Sequence, residues 1–168
     1  MRIERQATGL ADLSALTCDF EILTVHDFED LPQTRILRAA FAGRFRPGAA
    51  GTDDGGVMLA HLRAGLTAWQ PQALLIDLTR LDYDYGEGLI DPLIINRSGL
   101  WLERSLPVIA LHSVLCRSGL EALVDEHGFE TGELLAATEG KAIAKLMKRL
   151  RRAARRQSPG PTGNSPIT

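Results

Sequence analysis

The residues best suited to chemistry fall in one ten-residue segment, Asp82-Tyr83-Asp84-Tyr85-Gly86-Glu87-Gly88-Leu89-Ile90-Asp91, with four carboxylates and two tyrosines. Acids so spaced can hold a hard cation through oxygen, or act as a general acid and base where a pocket gathers them. The EF-hand pattern is absent. Counted from Asp82, position five is Gly86, position six is Glu87 where that loop needs glycine, and position twelve is Leu93. Two readings remain. The segment is a solvated loop whose carboxylates favour the positive end of a following helix. Or Asp82, Tyr83, Asp84, Tyr85, Glu87 and Asp91 form a contact surface for a protein partner, since tyrosine supplies stiff area at low entropy cost. No catalytic residue, metal site or cofactor is expected.

The other reactive groups are less organised. Gly43 to Gly56 contains five glycines and Pro47 but lacks the Gly-x-x-x-x-Gly-Lys-Ser/Thr spacing of a phosphate loop, so a flexible surface loop is expected. Cys116 precedes Arg117-Ser118-Gly119 at a helix start, where a thiolate can be stabilised. The arginine is adjacent, not six positions on as in a phosphatase loop, so an inert thiol is expected. His26, His61, His112 and His127 show no metal-ligand spacing.

The elements that must position the acidic segment follow from periodicity. Ala73 to Leu81 opens with an apolar run that reads as a central strand covered on both faces. Phe20 to Phe28 and Thr34 to Ala42 read as a hairpin around the turn at 29–33. Met58, Leu62, Leu66 and Trp69 mark an amphipathic helix that Thr52, Asp53 or Asp54 could cap and Pro71 ends. A helix is expected over Leu89 to Ser105, a strand over Leu106 to His112, and a helix over Arg117 to His127 closed by Gly128. A short edge strand over Phe129 to Ala137 and a last helix over Thr138 to Arg156 complete the order. Strands alternating with helices imply an α/β fold with parallel neighbours.

Length fits one domain of ordinary size: 168 residues, with 45% hydrophobic and 24% charged. The net charge of −2 conceals an acidic body and a tail from Lys141 onward with eight basic residues and no acidic one. In the last helix Ile143, Leu146, Met147 and Leu150 share a face expected to pack on the core, with the cations solvated opposite. The acidic body argues against nucleic acid as the main partner. Two cysteines, no apolar leader and no apolar run of about 18 residues predict a cytoplasmic chain without a membrane span. Residues 1–18 read as a tail or loosely packed segment, 19–156 as the domain, and 157–168 as a disordered tail.

Over residues 19–150 the order and spacing resemble the STAS family, the fold of anti-sigma factor antagonists. Leu74-Leu75-Ile76-Asp77-Leu78-Thr79-Arg80-Leu81 is similar to that family's valine-leucine-aspartate-leucine strand. Gly88-Leu89 stands where its switch loop enters a helix. Leu106-Pro107-Val108-Ile109-Ala110-Leu111, then Ser118 to Val124 and Gly128-Phe129, is similar to the next strand, helix and exit. The resemblance implies a mixed sheet of four or five strands starting with a hairpin, about four helices, and a regulatory protein-interaction module. A kinase-like or sigma-regulatory protein would be the partner, and a homodimer is open. The family's switch loop reads Asp-Ser-Ser-Gly-Leu, whereas Tyr85-Gly86-Glu87-Gly88-Leu89 stands here, with no serine or threonine between Asp82 and Asp91. Gly86 and Glu87 take the switch position, so phosphoserine control is not expected. Glu87 carries one permanent charge, less than the roughly 1.5–2 of a phosphate. The rival reading is a small enzyme or ligand-binding protein, flavodoxin-like or crotonase-like, with an acidic site at the end of strand 73–81.

Overall fold

A computed structural model of the chain describes residues 8–26, 33–97 and 106–157. The expected turn at 29–33 (save residue 33), the second half of the expected helix 89–105, residues 1–7 and the expected disordered tail beyond 157 lie outside the described residues. The architecture is α/β. Five strands form a mixed sheet in sequential order, starting with an antiparallel hairpin. β1 (Thr17–Val25) pairs antiparallel with β2 (Thr34–Arg44). β2, β3 (Ala73–Asp82), β4 (Val108–Leu111) and β5 (Leu135–Ala136) then run parallel.

Sequential order forces the crossovers onto one face. α1 (Ala49–Trp69), α2 (Ile90–Leu93), α3 (Arg117–Glu126) and α4 (Thr131–Leu134) connect the parallel strands. Met58, Leu62 and Leu66 of α1, Leu93 of α2, Leu120, Leu123 and Val124 of α3 and Leu134 of α4 share one core with Leu37, Phe41, Leu74, Ile76 and Leu78 of the sheet. Among the described residues, α5 (Glu139–Gln157) is the helix that covers the other face. Its Ala142 and Leu146 meet Ile36, Ala73, Leu75, Ile109 and Leu111, with Ile143 and Leu150 packed at the margin. Strand alternation divides β3 between the two cores, which is why its sequence is apolar without a break.

Several boundaries differ from the sequence reading. β1 starts at Thr17 because Thr17 and Cys18 pair with Ala42 and Phe41, so the strand includes residues assigned to the tail. Ser14 and Leu16 are buried as well. The glycine-rich segment is not a loop from Ala49 onward: α1 begins there, with Gly48 at its N-cap at φ +65°. Asp54 therefore lies one turn inside α1. Its carboxylate accepts the Arg46 backbone N–H at 2.7 Å and pairs with the Arg46 guanidinium at 2.6 Å.

The reason for the glycines is close packing. A Cβ built on Gly55 would lie 2.0 Å from the Gly88 carbonyl oxygen, and one on Gly88 would lie 2.4 Å from the Gly51 oxygen. Backbone meets backbone there, so the low helix propensity of glycine is overridden by the approach it permits. The expected helix over 89–105 is broken in its described part: a 3-10 turn at Glu87–Leu89, one α-turn, and a second 3-10 turn at Ile95–Arg97. The expected edge strand 129–137 is mostly the single turn α4, leaving two residues for β5. Gly128 closes α3 at φ +70° as its position implied, and the Lys141 N–H donates to the Thr138 hydroxyl as α5 begins.

Candidate functional site

The carboxyl ends of the parallel strands form a rim, the place where open α/β sheets present their sites. β3 delivers Asp82 to it, loosely paired with Arg44 at 3.7 Å. The chain is then clamped from three sides. Tyr83 is 1% exposed. Its ring stands edge-on to Phe45 at 5.4 Å, its hydroxyl donates to the Gly86 carbonyl at 2.8 Å, and its N–H reaches the Leu115 carbonyl at 3.4 Å. Burial, with a smaller contribution from Glu126, pushes its phenol up to about 12, so it stays a donor. The second clamp is α3, where a Cβ on Gly119 would lie 2.4 Å from the Asp84 carbonyl oxygen. The third is the Gly51–Gly55–Gly88 contact with α1. Gly86 turns the loop at φ +137°, a conformation that glycine takes without strain.

This corrects one expectation. Tyr83 is an internal strut of the loop, because its ring fills the core between Phe45 and α3, and it offers no surface to a partner. What the clamps leave outside is Asp84, Tyr85 at 65% exposure, Glu87 and Asp91. These acids do not gather, and among the described residues no group of three or more His, Cys, Asp or Glu could hold a metal. Glu87 opens the 3-10 turn and Asp91 lies in the single turn of α2, each near the N-terminal end that favours a negative charge.

Sequence reasoning missed two further features of this region. Val114 and Leu115, at 91% and 54% exposure, stand in the β4–α3 loop bonded to Tyr83. The adjacent Cys116 is buried, donates toward the Leu78 carbonyl at 3.3 Å, and has its pKa raised by burial, so it is not an activated thiol. An apolar Val-Leu pair directly after Ser113, between the end of a strand and the start of a helix, was the signal available.

The other feature is a buried ionic centre on the α5 face. Asp77 is 2% exposed in the middle of β3. Between the pairs Ala40–Asp77 and Ala42–Arg80, one residue of β2 faces two of β3, a bulge that leaves Thr79 extra. The Asp77 carboxylate stitches it, accepting the Thr79 N–H at 2.9 Å and hydroxyl at 2.7 Å on one oxygen and Arg38 on the other. Burial pushes the Asp77 carboxyl up, but the bonds from Thr79 and Arg38 outweigh it and hold the group below the usual range. Arg38 also reaches Glu21 at 2.8 Å and Glu139 at 3.8 Å, tying β1 and the start of α5 to the centre. A shallow cleft of about 400 Å³ lies beside it, lined by Asp19, Phe20, Glu21, Arg38, Ala40 and Arg80. A lone aspartate within an apolar strand was the legible sign of this centre.

Compared with known proteins, the chain matches no family model and no curated protein. Among the described residues no helix is long and apolar enough to cross a membrane.

Proposed function

We propose that this chain is a non-enzymatic protein-interaction module of STAS type that binds its partner with the rim at 82–91 and operates without a serine phosphoswitch. One observation carries the reading: the loop is held from beneath while Asp84, Tyr85 and Glu87 are turned to solvent, and through Tyr83 it is bonded to the loop that exposes Val114 and Leu115. An exposed aromatic with apolar and charged residues on the same rim is the usual makeup of a binding hot spot. The exposed acids select a partner whose contact face is basic with an apolar centre. Glu87 supplies at the switch position a constant charge in place of a regulated one.

The rival ligand-binding reading has the cleft beside Arg38 and Arg80 in its favour. It is weakened by saturation, because Thr79 and Arg38 already occupy both Asp77 oxygens and Arg80 pairs with Asp19 at 3.1 Å. The deciding experiment is quantitative affinity capture from the source cells with the wild type, Tyr85→Ala, Glu87→Lys and Arg80→Ala as baits. A partner retained by Arg80→Ala and lost from the two rim variants supports the module. A partner or small molecule lost only with Arg80→Ala refutes it.

A further inference from the structure

We infer that two copies of this chain join edge to edge through β1, in one register that the charges of the strand select. The hydrogen-bond pattern identifies which backbone groups are available. The Arg35 N–H donates to Gln72 at 2.7 Å and its carbonyl accepts the Gln72 N–H, while the Phe45 N–H donates to the Asp82 carbonyl. Odd-numbered residues of β2 thus face β3, and even-numbered ones face β1. Through the observed register, Thr34, Ile36, Arg38, Ala40 and Ala42 bond to Val25, Leu23, Glu21, Asp19 and Thr17. The N–H and C=O groups of Cys18, Phe20, Ile22 and Thr24 point the other way, along an edge that no described strand covers.

This edge lacks the usual protections against pairing. It runs nine residues with no proline, lysine or bulge. Its two acids are drawn onto the α5 face by Arg80 and Arg38 and away from the edge. Phe20, Ile22, Leu23 and Val25 are all only half-buried, and the exposed Trp69 meets Phe20 at a tilt, ring centroids 5.0 Å apart.

A two-fold pairing must align even residues with even ones to share their hydrogen bonds, so its centre falls on a residue. Centred on Asp19 or Glu21 it sets an acid against its own copy, and centred on Phe20 it sets Asp19 against Glu21 twice. Like charges directly opposite are unfavourable. Centred on Ile22, it places Asp19 opposite Val25 and Glu21 opposite Leu23, with Phe20 opposite Thr24. Among the registers of β1 that set no two acids opposite, this one pairs the most strand residues, Asp19 through Val25. The closed two-fold joins the two sheets into one of ten strands and leaves both rims outward.

Light scattering after size exclusion tests the pairing on the full chain. The expected mass rises with concentration toward twice 18.3 kDa, and Ile22→Pro, which removes an outward N–H and no β1–β2 bond while trimming a side chain packed at the core margin, holds it at the single-chain value with a circular dichroism spectrum that still shows the fold. The register has its own readout in a Cys18→Ser background. Ile22→Cys brings two thiols onto residues about 5.5 Å apart at Cα, within disulfide reach, and forms a covalent dimer on mild oxidation. Thr24→Cys, offset from its copy by about 14 Å along the strand, does not. A chain monomeric at every concentration overturns the inference, as does equal cross-linking at both positions or a monomer that takes up a foreign strand on this edge. The rim is not involved, so loss of the dimer and loss of partner binding are separate results.

Discussion

Two adjacent glycines of α1 should respond in opposite directions to the same one-carbon change. Gly56 has nothing within 4 Å of a built Cβ and faces solvent. Gly56→Ala therefore gains only helix propensity, about 0.8–1.0 kcal/mol. For a chain of this length that raises Tm by roughly 2–4 °C. Gly55→Ala gains the same propensity but sets its methyl 2.0 Å from the Gly88 carbonyl oxygen and 2.7 Å from the Gly88 carbonyl carbon. The obstacle is backbone and cannot rotate away. The 3-10 turn Glu87–Leu89 must shift outward, and overpacking of this kind costs typically 1–3 kcal/mol. Taking the upper end, the net loss is about 2 kcal/mol, a Tm lower by roughly 4–8 °C. Thermal melts followed by circular dichroism, with urea titration for the free energies, measure both. Amide hydrogen exchange at 84–89 should quicken in Gly55→Ala alone. If both variants are stabilised equally, the account of how α1 fixes the loop is wrong.

Three further outcomes follow from the same geometry. Asp77 and Asp54 both have carboxyl pKa values held below the usual range: burial opposes this in each, and bonds from Thr79 and Arg38, or from Arg46 and Ser14, outweigh it. A lowered folded-state pKa gives stability that is full above the unfolded value of about 3.9 and is lost as pH falls through the folded one. The urea midpoint should begin to decline as pH falls below about 6.5, because burial holds the His112 imidazole below its ordinary value, and should fall further below about 4 as the two carboxylates protonate; a midpoint flat to pH 2 contradicts the network. Asp77→Ala removes the carboxylate from a buried pair whose arginine is 30% exposed and retains Glu21 and Glu139. A loss of about 2–3 kcal/mol is expected, below the 3–5 of a fully buried pair, and a loss under about 0.5 in a two-state melt counts against it. Tyr83→Phe deletes one hydrogen bond to Gly86 and should cost about 1 kcal/mol, with faster exchange at 84–88; unchanged exchange there would show that the loop does not depend on it.

The legible parts of this fold are those where local pattern and tertiary setting agree. Strand 73–81 could be read because both its faces are covered, so every position through Leu78 is buried. The hairpin, the helix ended by Gly128 and the apolar stripe of α5 were visible for similar reasons. The segment from Ala49 to Gly56 was not, because glycine disfavours helix locally and the contact that overrides this preference is made with Gly88, far along the chain beyond β3. Tyr83 and Tyr85 are indistinguishable by type and spacing. Only the tertiary setting, Phe45 and the Gly86 carbonyl around the Tyr83 ring and hydroxyl, separates the buried tyrosine from the exposed one. Asp77 announced itself as a charge in an apolar strand, but its pairing with Arg38 of β2, and through Arg38 the tie to Glu139 of α5, required the register.

The proposed role of the loop as a contact surface is tested most directly by calorimetric titration of the captured partner against the wild type and Tyr85→Ala. Tyr85 is 65% exposed and lies outside the core, so its truncation leaves stability within about 0.5 kcal/mol. The expected result is a partner affinity at least about tenfold weaker, a loss of roughly 1.4 kcal/mol or more. Unchanged affinity for Tyr85→Ala, with the partner still bound at full stoichiometry, would place the binding surface elsewhere on the molecule.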